Sequence, residues 1–98
     1  VTYIESDDLS RDPAFIGRVK MAATSAAVDI MAEASSAAGH VLRASYAHQV
    51  LTSPESAAAH LATVICASDG AITAGTSDAA LKTAVSSVWN AVAGYSAN

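Results

Sequence analysis

A single cysteine leaves the chain without an internal disulfide framework or a cysteine-rich zinc module. Charged residues make up 14% of the sequence and aromatics 5%, against a usual charged share of about 25%. Lysine and arginine together number five and the formal net charge is −4, which argues against a nucleic-acid-binding face. Long apolar runs are missing too. Outside the C-terminal tail, the longest stretch free of Asp, Glu, Lys and Arg is 56–68, interrupted by His60. A membrane-spanning helix needs about 20 apolar residues. The first eight residues carry Glu5, Asp7 and Asp8, where a signal peptide would be basic and then apolar. Val1 stands where methionine is expected, which fits a GTG start or a trimmed chain.

Small apolar residues are what the sequence has instead. Hydrophobic residues are 52% of the 98, too many for a disordered chain, yet 24 of them are alanine. A chain of this length forms one domain at most and buries about two-thirds of its unfolded surface. Alanine adds little transfer free energy, so a thin core completed by a partner chain is the expectation.

The pattern predicts an all-α domain of about four helices over 12–98, preceded by an extended acidic arm over 1–11. Asp12 and Pro13 form a helix start, with a capping carboxylate and a proline whose missing N–H costs nothing there. Phe15, Val19, Ala22, Ala26 and Ile30 then recur at helical spacing, widened by Ile16, Ala23, Ala27, Met31 and Ala34. Arg18, Ser25, Asp29 and Ser36 read as a polar stripe, with Glu33 at its edge and Gly39 as the stop. A second helix runs from His40 or Val41 to Leu51, with two apolar flanks (Leu42, Tyr46, Val50 and Ala44, Ala47, Leu51). Ser53-Pro54-Glu55 caps and starts a third, which buries Ala57, Ala58, Leu61, Val64 and Ile65. Ser68-Asp69-Gly70 is turn chemistry, and the link through Gly75 reads as irregular. Thr76 or Ser77 caps a fourth helix with Leu81, Val85, Val88, Val92 and Tyr95 inward and Gly94 near its end.

No catalytic constellation emerges from these residues. His40, His48 and His60 lack the i, i+4 pairing of a helix-face metal site, and no HExxH string occurs. Cys66 lies in the apolar run Val64–Ala67 and reads as a buried structural thiol. Neither a GxSxG elbow nor an SxxK string is found among the serines, and the glycines are too scattered to cradle phosphate. Asp29 and Glu33 sit one turn apart but on a charged outer face. Neither a cofactor nor a metal is expected. Contacts beyond the domain are. Met21 and Val28, seven residues apart, fall together on the far side of the first helix, to be covered by a partner or by an arm of the same chain. Trp89 stands at the edge of the last apolar stripe, placed to anchor a partner or to finish the domain's own core. Tyr3 and Ile4 are the apolar anchors of the arm.

The segment Ala71-Ile72-Thr73-Ala74-Gly75-Thr76-Ser77-Asp78-Ala79-Ala80-Leu81, continued by Ala84-Val85-Ser86-Ser87-Val88-Trp89-Asn90-Ala91-Val92-Ala93-Gly94, resembles the end of a group of small acidic virion-associated proteins of tailed bacteriophages. Asp12-Pro13-Ala14-Phe15 resembles the opening of their first helix. The likeness covers about 12–36 and 71–94, with alanine at Ala80 and Ala84 where bulkier residues are expected. It implies a structural phage component with no catalytic residues, and leaves the position in the particle open. Taken with the small alanine-rich helical domain and the acidic arm, the leading expectation is a head–tail adaptor that forms a ring of its own copies at the portal. Its implied partners are portal and other neck or capsid proteins, with no specific nucleic acid and no membrane. A capsid decoration protein is the sibling reading. A helical-hairpin secretion partner with a WxG turn shares the length and acidity, but Trp89-Asn90-Ala91 lacks the glycine and lies in the last helix.

Overall fold

The computed structural model describes residues 9–32 and 40–94. Four helices account for most of them: α1 (Pro13–Ala32), α2 (His40–Thr52), α3 (Pro54–Ser68) and α4 (Asp78–Ala93), with no strand among the described residues. The all-α, four-helix expectation is met. Gly39, Ala34, Glu33, Ser36 and Tyr95 lie outside the described residues, as do the arm residues Tyr3 and Ile4.

Local chemistry sets most of the helix ends. Asp12 Oδ1 accepts from the Ala14 N–H at 3.1 Å, capping α1, and Ser77 Oγ accepts from the Ala80 N–H at 3.1 Å, capping α4. Gly94 closes α4 in the left-handed region at φ 85°, where a Cβ would be strained. The start of α3 differs from expectation. Ser53 occupies the capping position but its hydroxyl makes no cap bond. Its N–H still donates to Gln49 O at 2.9 Å, and its carbonyl accepts from Ala57 N at 3.1 Å. Only one residue separates α2 from α3, and Pro54 forces it out of the helical region (φ −133°, ψ 67°). The two helices follow one another as a bent pair.

Cross-helix contacts fix the directions. Arg18, early in α1, pairs with Asp78 at the start of α4, while Asp29, later in α1, pairs with Lys82, further along α4. So α4 runs the same way as α1. Lys20 meets Glu55 at 2.8 Å, which brings the junction of α2 and α3 back to the first half of α1. Hence α2 returns antiparallel to α1. Helix α1 packs against all three others.

Four of the seven buried residues of α1 are alanine. Ala23, Ala27, Ala47, Ala58 and Ala62 are all 1% exposed or less, so the helices approach closely along these seams. The remaining space is filled by a few large residues, foremost Trp89, which is fully buried, as are Leu61, Ile65 and Leu81. Its indole N–H donates to Arg43 O at 3.2 Å, and the Tyr46 ring stands edge-on to it at 4.9 Å between centroids. Trp89 is therefore part of the domain's own core and not an outward anchor. Its indole nitrogen finds a partner in the turn of α2 that it packs against.

Three further expectations are corrected. Helix α2 has one buried face, not two: Tyr46, Ala47 and Val50 are inside, whereas Leu42 and Leu51 are 43% and 41% exposed. Among the described residues the bundle meets α2 on a single side, which leaves Leu42 and Leu51 exposed. Met31 likewise leaves the apolar face of α1, at 42% exposed. The domain also begins earlier than residue 12. Leu9 is buried in the core, and a turn closes over it through Asp12 N to Leu9 O at 3.0 Å.

Two predictions follow from the core around Trp89. Trp89→Ala should cost about 3–5 kcal/mol. Tyr46→Phe should leave stability unchanged or raise it slightly, because the Tyr46 hydroxyl is buried and makes no hydrogen bond to lose. Chemical denaturation of both variants at neutral pH checks this. Burial also pushes the Tyr46 phenol and the Cys66 thiol above their ordinary values. The folded state thus favours both protonated forms. That contribution is whole below the unfolded values, about 10 for the phenol and about 8.5 for the thiol, and is lost as pH rises through the folded ones. Melting temperature should fall on the alkaline side, with Cys66→Ala removing the earlier part of the decline and Tyr46→Phe the later.

Candidate functional site

The outward side of α1 is the surface on which the candidate residues converge. Phe15, Val19, Ala26 and Ile30 turn one face of the helix inward. At about 100° per residue the opposite face carries Ala14, Gly17, Met21, Ser25, Val28 and Ala32. Met21 is 73% and Val28 56% exposed. Ala14, Gly17, Ser25 and Ala32 are exposed as well. No charged side chain stands on the centre line of this face. An apolar line of two large residues set among small ones is unusual on a solvated helix, where polar residues are the rule.

Ion pairs frame that line on both sides. Toward α4 stand Arg18–Asp78 at 2.9 Å and Lys82–Asp29 at 2.6 Å; toward α3 stands Lys20–Glu55 at 2.8 Å. Lys20 holds the Glu55 carboxyl below its ordinary range, chiefly through their hydrogen bond. Between α1 and α4 a groove of about 280 Å³ opens beside Met21, floored by Ala22, Ser25 and Ala79. The groove is mostly apolar, with its charges already engaged in pairs.

Arg18 does more than the solvated stripe position foretold. Its side chain is one-third exposed, and its guanidinium grips the link between α3 and α4. Nη1 donates to Ala74 O at 2.9 Å, Nη2 to Thr76 O and to Asp78 Oδ1, and Nε to Asp78 Oδ1 at 3.2 Å. The link is shaped to receive it. Asp69 Oδ1 accepts from Ala71 N at 2.9 Å, and Thr76 Oγ1 accepts from Thr73 N at 2.8 Å, folding the chain into consecutive turns. Sequence spacing gave no sign of this clamp, since two of its three partners are backbone carbonyls and all lie about sixty residues away.

The other candidates do not come together. His48 and His60 are exposed on separate helices, Cys66 is buried, and no group of three His, Cys, Asp or Glu gathers among the described residues. Asp29 is engaged with Lys82; Glu33 lies outside the described residues. Beyond Met21 and Val28, periodicity missed the exposed Val41, at 76%, together with Leu42 and Met31, which border the connection from α1 to α2. No helix among the described residues is long and apolar enough to cross a membrane. Comparisons with protein-family models, curated proteins and solved structures yield no match for this chain.

Removing the clamp is the test of its role. Arg18→Ala should cost about 1–2 kcal/mol, discounted for its partial exposure. The loosening should be local, read as faster amide exchange and protease cutting over residues 70–77 while the α1–α3 seam stays protected.

Proposed function

We propose that the protein is a non-enzymatic structural subunit of a tailed-phage virion, a head–tail adaptor that assembles as a ring of its own copies at the portal. The observation that carries the assembly part is the uncovered face of α1, where Met21 and Val28 stand exposed on a core already thin in large side chains. Alanine-lined helices that pack closely within the subunit suit repeated packing between identical subunits. The resemblance over 12–36 and 71–94 supplies the particle. In those segments Asp12 and Ser77 cap helices, Asp78 receives Arg18 and Trp89 fills the core. These residues all serve the architecture of the domain, as a structural component requires, and this supports the reading over a catalytic one. The partners in this reading are sibling subunits, the portal and neighbouring neck or capsid proteins, with no specific nucleic acid, membrane or cofactor.

The test separates folding from assembly. Met21→Ser with Val28→Ser should change the melting free energy by less than about 0.5 kcal/mol per site, as exposed substitutions do. In particles of the encoding phage, the same double variant should be lost from the neck. An intact fold with normal incorporation would remove this face as a partner site. Recovery of wild type on the capsid shell, away from the neck, would replace the adaptor reading by the decoration one. Genes for portal, capsid or tail beside this one agree with the virion reading; a secretion ATPase there would contradict it.

A further inference from the structure

A second, smaller cleft opens in the angle between α2 and α3. Its volume is about 130 Å³, and it is lined by Tyr46 and Gln49 of α2, Ser53 at the joint, and Ser56, Ala57 and His60 of α3. Five of these six side chains can donate a hydrogen bond. No Asp, Glu, Lys or Arg lines it, so it holds no ion pair, unlike the groove beside Met21. Glu55, the acid next to it in the chain, is engaged by Lys20 of α1 at 2.8 Å.

Two donors at this cleft lack an acceptor. Tyr46 is 9% exposed, and its hydroxyl has no hydrogen-bond partner. Burial pushes the phenol above its ordinary value, so at neutral pH it keeps a proton to give. A buried hydroxyl left unpaired is costly, and a fold that retains one calls for a partner. The second donor is the Ser56 N–H. It stands at the third position of α3, where the oxygen of a capping serine ordinarily accepts. Ser53 makes no such bond, which leaves its own hydroxyl available too. The main-chain bond that closes the joint onto α3 goes instead from Ala57 N to Ser53 O. The start of this 15-residue helix also carries partial positive charge. Unpaired donors, a positive helix end and a lining free of carboxylates all call for an anionic oxygen.

We propose that the cleft between α2 and α3 binds a small oxyanion, a carboxylate or a phosphate group, which accepts from the Tyr46 hydroxyl, the Ser56 N–H and the side chains of Gln49 and Ser53. Its size sets the class. The volume of about 130 Å³ is several times the share of one water, about 30 Å³, and well below the roughly 300 Å³ at which pockets for larger ligands begin. Gln49, Ser53, Ser56 and His60 are exposed, so the bound ion stays partly hydrated and dissociates in the millimolar range. The site lies apart from the outer face of α1 and does not depend on the assembly reading.

Titration of the full chain at neutral pH and fixed ionic strength tests this, with inorganic phosphate and acetate as probes that replace chloride. Amide NMR should show the Ser56 N–H shifting saturably while the link over residues 70–77 stays still. Saturation by both anions supports the shared chemistry; saturation by one alone supports the site and narrows it to that anion. Tyr46→Phe keeps the ring beside Trp89 and should weaken binding about fivefold, as the loss of one hydrogen bond does. Gln49→Ala, at an exposed position, should weaken it similarly without touching the core. His48→Ala, also on α2 but outside the cleft lining, should change nothing. Melting temperature gives a second readout: Tyr46→Phe should match wild type in chloride and gain less from added phosphate. No saturation by either anion at tens of millimolar would overturn the proposal and leave water as the partner of Tyr46. Shifts of equal size over 70–77, or saturation that neither Tyr46→Phe nor Gln49→Ala weakens, would overturn it as well, by placing the ion elsewhere.

Discussion

Everything in this domain hangs on one constraint: helices lined with alanine must pack closely, and close packing leaves room for few large side chains. Trp89 is the largest of those few. It brings α4 against α2 through its hydrogen bond to Arg43 O and its edge-on contact with Tyr46. Along the other seams, alanines at or near zero exposure let α1 lie against its neighbours with little bulk between them.

Helix periodicity carried most of the fold because each helix has to bury one face. The inward residues of α1 were legible as a stripe, and the caps at Asp12 and Ser77 as short polar residues before apolar runs. What escaped is tertiary. The apolar residues of α2 permit burial on either flank, and only the position of α1 and α4 decides that Tyr46 goes in while Leu42 stays out. Leu9 belongs to no periodic segment, so its burial could not be read from spacing. Arg18 is the clearest case: its partners are mainly carbonyls, which every residue has, and no side-chain pattern announces them. For the candidate site, Met21 and Val28 were visible because a seven-residue spacing returns to the same side of a helix. Trp89 was ambiguous, since a large amphipathic ring at a stripe edge suits core and interface alike.

Stability and assembly are divided between the two sides of α1. The inner side is committed to the bundle, and the ion pairs at its flanks neutralise most of the charge bordering the outer side. Those pairs add little energy individually at this exposure. Their larger effect is to keep long charged side chains drawn sideways to α3 and α4, away from the line of Met21 and Val28.

The way Arg18 holds the α3–α4 link also sets how freely that link can drift. Its guanidinium reads the main chain at Ala74 and Thr76, and a side chain only at Asp78. The identity of residue 74 is therefore immaterial to the clamp, whereas the number of residues between Asp69 and Asp78 is not. Over evolutionary time the link can exchange letters but not change length. Insertions and deletions there would misplace both carbonyls together, so divergent copies of this domain should keep the spacing after the wording has gone.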